Sequence, residues 1–318
     1  MSKVVRRPTL CAVLAALFYA LNTPLSKLLL GKVSSAMLAA LLYLGAGLGV
    51  GLLGLCRRRG RSQKELPLTR RDLPWTVGMV VLDIAAPIFL MMGLRRTTAA
   101  NAALLNNFEI AATALLAAAL FREAISRRLW AAIGLVSAAS ILLSLDGADC
   151  LHFSSGSALV LLACACWGLE NNCTKKLSGR DPLEIVVIKG VFSGGGALFI
   201  ALGLGERLPA PAIICSALLL GFAAYGLSIY FYIYAQRGLG AAKTSAYYAL
   251  APFAAALLSL AVFQELPGLR FWIALGIMLA GAYLASVDPI DNSSACSYNK
   301  NNRRKELGAD PSPAAPCD

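Results

Sequence analysis

The chain has little charge and almost no histidine. Only 14% of its 318 residues are charged, whereas 58% are hydrophobic, and a soluble domain carries about 25% charged residues. His152 is the single histidine, and the nine cysteines are scattered without a CxxC pair. A zinc site and a histidine-based catalytic triad therefore lack their usual groups. The composition predicts a protein that has lipid as its solvent and carries neither metal nor cofactor.

Two motifs of soluble enzymes are also absent. The chain contains no GxxxxGK[ST] phosphate-binding loop and no GxSxG nucleophile turn. ATP-driven and hydrolase functions therefore have no support. The net charge of +12 does not indicate nucleic-acid binding, because the basic residues lie between apolar runs and not on an aromatic-rich soluble face. The expected partners are membrane lipid and a small-molecule substrate, and no nucleic acid.

Long apolar runs are what the chain has instead. A bilayer core of about 30 Å takes roughly 20 helical residues. Runs of this kind predict an all-α polytopic membrane protein with ten transmembrane helices, at residues 8–30, 34–56, 73–94, 98–121, 128–145, 156–177, 182–204, 211–235, 240–263 and 268–287.

The orientation follows from the basic residues between the runs. With the N-terminus inside the cell, 22 of the 29 Lys and Arg residues lie on the cytoplasmic side and six on the other. This asymmetry predicts a multi-pass protein of the inner or plasma membrane with both termini cytoplasmic. Residues 288–318, rich in Asn, Ser, Pro and basic side chains, are expected to form a disordered cytoplasmic tail.

The two halves of the chain repeat each other. The segment from Tyr19 to Lys27 aligns with the segment from Trp167 to Lys175. Five later positions align at one offset: Arg95, Phe121, Glu123, Trp130 and Gly134 with Arg237, Phe263, Glu265, Trp272 and Gly276. Two five-helix units result, at 8–145 and 156–287. Because five is odd, the second unit enters the membrane inverted, which is a recurring plan of transporters that work by alternating access.

These paired units resemble the EamA domains of the drug/metabolite transporter superfamily. The resemblance rests on the fourth and ninth helices, which end in Phe121-Arg122-Glu123 and Phe263-Gln264-Glu265, and on the glycine-containing helix after each. Pro252 also matches the family, but its counterpart Ile110 departs from it. The resemblance implies export or exchange of amino acids and related small metabolites without ATP.

Polar groups at membrane depth are costly, and each is therefore a functional candidate. We expect a substrate-binding site formed by Asn22, Asp83, Asn106, Glu109, Glu170, Asn171, Lys189 and Tyr225. Glu170 and Lys189 lie at similar depths on neighbouring helices, which predicts an ion pair. That pair either borders the cavity or only joins two helices, and the amides either line the cavity or only join helices.

Asp83 and Glu109 are the candidates for proton coupling. Both fall near mid-depth, and the sequence shows no basic residue at their depth. A medium of low dielectric constant favours the neutral carboxyl, so either group can carry a proton. The alternative is a permanently protonated, structural carboxyl. Three acids and one lysine favour a zwitterionic or cationic substrate over a dianion.

Other functions compete with a carrier. A passive, channel-like facilitator has the same hydropathy pattern. An intramembrane enzyme is also conceivable, because Asp83 and Glu109 are two carboxylates at matching depth, but no nucleophile or metal ligand accompanies them. A scaffold without a substrate is disfavoured, because inverted halves indicate moving parts.

Overall fold

The structure is a computed structural model that describes residues 3–57, 68–121, 127–146, 152–177, 180–239, 247–248, 250–264 and 267–286. Helix dominates these residues, as the sequence predicts. The predicted disordered tail, 288–318, lies outside the described residues. So do Glu123 and Glu265, which belong to the repeat.

The described α-helices follow one another along the chain. In chain order they are α1 (Lys3–Ala20), α2 (Asn22–Leu29), α3 (Ser35–Arg57), α4 (Leu73–Arg96), α5 (Ala99–Leu105), α6 (Phe108–Phe121), α7 (Arg127–Ser144), α8 (Ser155–Leu177), α9 (Pro182–Ile188), α10 (Gly194–Gly203), α11 (Pro211–Gly221), α12 (Ser228–Leu239), α13 (Ala251–Phe263) and α14 (Leu269–Ser286). A 3₁₀ turn, Arg70–Asp72, precedes α4. The π-helical segments Lys189–Ser193 and Phe222–Leu227 join α9 to α10 and α11 to α12.

Six helical segments are long and apolar enough to cross a membrane: Pro8–Leu29, Ser35–Cys56, Arg70–Arg96, Ala99–Leu120, Pro182–Gly203 and Pro211–Ala235. Three shorter apolar helices are Trp130–Leu143, Ala251–Phe263 and Leu269–Leu284. Large apolar side chains such as Phe199 and Leu219 are exposed along these helices. Such outward apolar faces are what a lipid solvent requires, since helices satisfy their own backbone groups.

Among the residues that the structure describes, five of the predicted runs are not continuous α-helices, and one of them is the ninth, in which Leu250 forms a turn just before α13. The first is interrupted at Leu21, between α1 and α2, and the fourth at Asn106 and Asn107, between α5 and α6. The seventh and eighth contain the two π-helical segments. The apolar length of a run does not reveal such interruptions, because hydropathy is averaged over about 19 residues.

Glycines allow the backbone of α3 to contact the backbones of the helical segments that it crosses. A Cβ at Gly221 would lie 2.0 Å from the carbonyl oxygen of Leu42, and one at Gly190 would lie 2.2 Å from the nitrogen of Gly47. Only glycine fits at such crossings. Gly49, Gly51 and Gly54 happen to have GxGxxG spacing, but they lie inside α3. They therefore do not form the strand-to-helix turn that binds a dinucleotide.

Two sets of hydrogen bonds tie the halves of the chain together at opposite ends of α3 and its antiparallel neighbours α9 and α10. In the Glu206 tie, Glu206 accepts hydrogen bonds from Ser34 Oγ (2.5 Å) and from the backbone N–H of Met37 (2.8 Å), which caps the start of α3.

The Arg180 tie lies at the other end. Arg180 pairs with Asp72 at 2.9 Å, and the backbone N–H of Leu68 donates to Glu184 at 2.9 Å. Thr69 and Asp72 form a reciprocal capping box beside this pair. Both ties join a loop of one half to a helix start of the other.

A short antiparallel pair of β-strands lies in the segment between the two halves of the chain. Leu145–Asp146 pairs with His152–Phe153, with Leu145 opposite Phe153. It is the one strand pair among the residues that the structure describes. The other regular elements of the described chain are helices, which agrees with the predicted all-α class.

Candidate functional site

Three buried charged side chains meet between α4, α8 and the start of the first π-helical segment. Lys189 Nζ lies 2.9 Å from Glu170 Oε1 and 3.2 Å from Asp83 Oδ2. The predicted pair of Glu170 and Lys189 is therefore confirmed as a contact. Thr174 also donates its hydroxyl hydrogen to Glu170. Removing these charges from water is costly, and their close mutual pairing offsets part of that cost.

The prediction that Asp83 has no basic residue beside it is wrong. The sequence showed no basic partner for it, but Lys189 reaches it from the neighbouring helix. Tyr43 donates a hydrogen bond to Asp83 Oδ1 at 2.9 Å, and Trp167 Nε1 donates to the Tyr43 hydroxyl at 3.3 Å. The error arose because depth along the chain gives a residue's height in the membrane but not the direction in which its helix faces.

A second polar contact joins Asn22 and Tyr225. Asn22 Nδ2 donates to the Tyr225 hydroxyl at 3.0 Å, and Ser26 Oγ donates to Asn22 Oδ1 at 3.0 Å. Asn22 and Tyr225 are both buried. In the sequence repeat, Asn22 aligns with Glu170 and Tyr225 with Asp83. The contact between Asn22 and Tyr225 is thus the counterpart of the contact that Lys189 makes between Glu170 and Asp83.

Glu109 forms a third polar centre. Asn171 Nδ2 donates to Glu109 Oε1 at 2.6 Å and also lies 3.3 Å from Thr113 Oγ1. The next residue, Asn172, donates to the carbonyl oxygen of Thr113 at 3.1 Å and so joins α8 to α6. Glu109 is only half-buried, in contrast to Asp83 and Glu170. Lys189, the basic residue of the buried cluster, forms its ion pairs with those two carboxylates and not with Glu109.

The amides between α5 and α6 have separate surroundings. Asn106 Oδ1 lies 3.9 Å from Cys164 Sγ of α8. Asn107 Nδ2 donates to the carbonyl oxygen of Leu104 and faces Met278 of α14. Asn106 is buried among helices, with the thiol of Cys164 as the neighbour of its amide oxygen. It lies at the helix interruption just before Glu109 and outside the charged cluster.

Five tyrosine rings form a continuous series through the bundle. The ring of Tyr225 lies 5.0 Å from that of Tyr43 and 6.0 Å from that of Tyr19. Tyr19 in turn lies 5.6 Å from Tyr248, and Tyr248 lies 4.8 Å from Tyr232. These spacings are those of favourable edge and tilted ring pairs. The series links Tyr43, which contacts the charged cluster, to Tyr232 of α12.

Most of the predicted site residues lie at an irregularity of a helix. Asn22 is the first residue of α2, and Glu109 is in the first turn of α6. Lys189 begins one π-helical segment, and Tyr225 lies inside the other. Irregular backbone at membrane depth is tolerated where it lines a cavity, and π-helical turns are frequent at functional sites.

Sequence reasoning missed several residues that complete these centres. Tyr43 and Thr174 donate hydrogen bonds to the charged cluster, Trp167 donates to Tyr43, and Thr113 accepts from the amides beside Glu109. Trp167 and Tyr19 carried a signal, because they are aligned positions of the repeat. Tyr43 and Thr113 carried none, since a single hydroxyl in an apolar run is usually a neutral packing residue.

A pocket of about 620 Å³ lies away from these centres, between α5, α7, α13 and α14. It is lined by Thr98, Asn101, Arg270 and Phe271 among others, and by none of the predicted site residues. Among the residues that the structure describes, no group of three or more His, Cys, Asp or Glu side chains is placed to hold a metal ion.

Comparison with known proteins gives one family and one fold. The sequence profile of the EamA-like transporter family matches residues 7–145 and again residues 154–287. A relative described as an uncharacterized transporter, from Methanothermobacter thermautotrophicus, is 25% identical over 294 residues, which cover 85% of this chain and 83% of the relative.

Among the solved structures that match is a crystal structure that shares the fold. It superposes with a TM-score of 0.62 at 19% sequence identity and covers 87% of this chain and 95% of its own. At this identity the likeness concerns the fold alone. It shows that the arrangement of helices described above is one that a crystallised protein also adopts.

Proposed function

Because the chain belongs to the EamA-like transporter family, we propose that it is a secondary transporter that exports or exchanges small metabolites across the cell membrane by alternating access. It is a multi-pass membrane protein with several apolar helices. The substrates we propose are amino acids and related zwitterionic or cationic compounds. The chain acts as a carrier and not as an enzyme.

One observation carries this proposal. Asn22, Lys189, Tyr225 and Glu109 come from both halves of the chain, and each lies at an interruption or π-helical segment of its helix. Binding sites of secondary transporters are built in this way, from discontinuous helices at the interface of two repeats. A protein that only filled space in the membrane would gain nothing from polar groups and broken helices at its centre.

The proposed architecture has ten transmembrane helices in two inverted units, 8–145 and 156–287. In addition to the six long and three shorter apolar helices, α8 spans 23 residues and carries Glu170 about four residues beyond its middle. With α8 as the tenth helix, the basic loops place both termini in the cytoplasm.

Proton coupling belongs to the same proposal, with Glu109 as the stronger of the two candidates. Asp83 is held by Lys189 and Tyr43, which stabilise its charged form. Glu109 has an amide partner, Asn171, and no ion pair with Lys189. A carboxyl without a cationic partner in a low dielectric is the better proton carrier.

The test is uptake into proteoliposomes. Labelled amino acids and metabolites are supplied with and without an imposed pH gradient. The control variant is Ser216→Ala, which removes a hydroxyl on an exposed helix face. We expect saturable uptake of one substrate class in wild type and control, accelerated by the gradient. Uptake that never saturates would instead support a channel-like facilitator, and saturable uptake that ignores the gradient would remove proton coupling.

A further inference from the structure

The pocket of about 620 Å³ lies at one end of the four helices that border it. Its lining residues come from the first turns of α5 and α14 and from the last turns of α7 and α13: Ala100 and Asn101, Leu269 to Phe271, Leu142 and Leu143, and Leu260. Helices α5 and α7 belong to the first half of the chain, and α13 and α14 belong to the second. The pocket is therefore a gap between the two halves at this end of the bundle.

Helices α14 and α7 touch each other deeper in the bundle. A Cβ at Gly281 of α14 would lie 2.9 Å from Cγ2 of Val136 of α7, so the two helices are in contact there. Gly281 lies about 15 Å along the helix from Phe271, at 1.5 Å per residue. The two helices separate between these levels, and the space between them narrows with depth. The volume of the pocket lies in the range of about 300–1,000 Å³ that ligand sites have.

The pocket combines an apolar wall with a few polar side chains. The wall is formed by Leu142, Leu143, Leu260, Leu269 and Phe271, and the polar side chains are Thr98, Asn101 and Arg270. Among the lining residues that the structure describes, Arg270 carries the only charge. Arg270 also interacts within the chain, but a guanidinium has five N–H donors, which are enough for a second partner. Such a site suits an anionic group that is joined to hydrocarbon.

The apolar wall continues onto the outer surface of the bundle. Leu269 is 76% exposed, and Trp272 and Ile273, which follow in α14, are 49% and 46% exposed. The ring of Trp272 packs edge-on against that of Phe271, with the ring centroids 5.6 Å apart. A tryptophan and an arginine in the first turn of a membrane helix lie at the level of the lipid head groups. The hydrocarbon next to this pocket is therefore that of the membrane itself.

We propose that the pocket binds one phospholipid with an anionic head group. Arg270 holds the lipid phosphate, with the hydroxyl of Thr98 and the amide of Asn101 as further donors, and an acyl chain packs along Leu260 and Leu269. In the proposed topology this is a lipid of the outer leaflet. Because the walls belong to both halves of the chain, a bound lipid stabilises their pairing at this end. The site is separate from the polar centres and does not depend on which substrate is carried.

The experiment compares three ligands of the purified, delipidated full-length protein in detergent. Phosphatidylglycerol is anionic, phosphatidylcholine with the same acyl chains is zwitterionic, and glycerol 3-phosphate is an anionic phosphate without hydrocarbon. Bound ligand is counted by native mass spectrometry, and the thermal midpoint is measured with each. We expect one phosphatidylglycerol to be retained per chain more tightly than phosphatidylcholine and to raise the thermal midpoint. Glycerol 3-phosphate should do neither, because it leaves the apolar wall without a partner.

Two pairs of variants locate the site. Arg270→Gln removes the charge, and we expect phosphatidylglycerol to bind about tenfold to a hundredfold more weakly, as for the loss of a charged hydrogen bond. Arg207→Gln removes the charge of an exposed arginine elsewhere and should bind the lipid as wild type does. Gly268→Leu adds a side chain at the pocket and should also weaken binding, whereas Gly203→Leu, on α10, should not. A Cβ meets nothing within 4 Å at either glycine, so both of these variants should fold.

Other results would overturn the proposal. Equal retention of the two phospholipids, or unchanged phosphatidylglycerol binding in Arg270→Gln, would overturn the role of Arg270 in binding an anionic head group. Unchanged binding in Gly268→Leu would place the lipid outside the pocket. Glycerol 3-phosphate bound as tightly as the lipid would make the pocket a site for soluble organic phosphates. Folded wild type that retains no phospholipid would exclude the lipid, and if that protein is dimeric, a second copy of the chain becomes the occupant to test.

Discussion

Lys189 is the residue on which the buried charges depend. It is 7% exposed and contacts two carboxylates that are themselves almost completely buried. The cluster contains one more acid than base, so any change that removes the ammonium leaves two like charges facing each other. Removing one partner of a buried ion pair is far more costly than replacing the whole pair.

Lys189→Met is therefore expected to lower the free energy of unfolding by about 3–5 kcal/mol. Neutralising the acids in the same chain, as Asp83→Asn and Glu170→Gln, should restore most of that loss. The measurement is the thermal midpoint in detergent, followed by size-exclusion fluorescence. Lys32→Met, at an exposed lysine, is the control and should leave the midpoint unchanged. A Lys189→Met protein as stable as wild type would contradict the pairing.

Asp72 provides a pH-dependent contact outside the membrane. Hydrogen bonds from the side chain and backbone of Thr69, and then the nearby Arg180, hold the pKa of Asp72 below its usual value of 3.8. A carboxyl whose pKa is lower in the folded state contributes stability above the unfolded pKa. That contribution is lost as the pH falls through the folded value.

Asp72→Asn should therefore have a lower thermal midpoint than wild type at neutral pH, and the difference should stay constant down to about pH 4. Below that pH the difference should shrink, because wild type loses the charge as well. Thermal scans of both proteins from pH 7 to pH 3 measure it. A difference that persists unchanged at the lowest pH would show that Asp72 acts through its shape and not through its charge.

At the residue scale, the sequence predicted some contacts and not others. The pair of Glu170 and Lys189 was predictable, because both lie at one depth on consecutive runs. The contact of Asp83 with Lys189 was not, since it depends on how α4 is rotated about its own axis. In a membrane protein, hydrophobic periodicity gives little information on how a helix is rotated about its axis, because the protein core and the lipid are both apolar.

At the scale of the elements, the runs were predictable and their interruptions were not. Runs such as 34–56 and 73–94 coincide with α3 and α4 to within one or two residues at most ends. The interruption before Asn22 and the one at Asn106 follow from local hydrogen bonding, to which hydropathy is insensitive. Two amides in succession, Asn106 and Asn107, were the one available signal for the second interruption.

The helix crossings offer a test at this scale. Gly221→Ala places a methyl group 2.0 Å from the carbonyl oxygen of Leu42, and backbone has to move to relieve it. We expect a loss of about 1–3 kcal/mol in unfolding free energy. Gly195→Ala meets nothing within 4 Å and should be neutral or stabilise by about 0.5–1 kcal/mol through helix propensity. Thermal midpoints in detergent compare the two, and equal midpoints would argue against the close crossing.

At the scale of the whole molecule, the two profile matches and the shared fold support one architecture. Its orientation is open to a direct test. In a chain whose native cysteines are replaced, Lys32→Cys and Arg207→Cys should react with a membrane-impermeant maleimide on intact cells. Arg71→Cys should react only after the cells are permeabilised, because the proposed topology puts the basic loops in the cytoplasm. All three positions are exposed. The reverse labelling pattern would invert the proposed topology.

The position of α3 has a consequence for how such a molecule changes shape. Its start is capped by Glu206, and its glycines bring it into backbone contact with the segments around Gly190 and Gly221. Helical segments packed this closely cannot slide past each other. We therefore expect α3 and these neighbours to keep one arrangement throughout the transport cycle. We expect the amides of α3 to exchange most slowly with deuterium whether or not a substrate is present. Changes in exchange on binding should appear instead in α1, α2 and α6, which would make α3 the stationary frame against which the site opens.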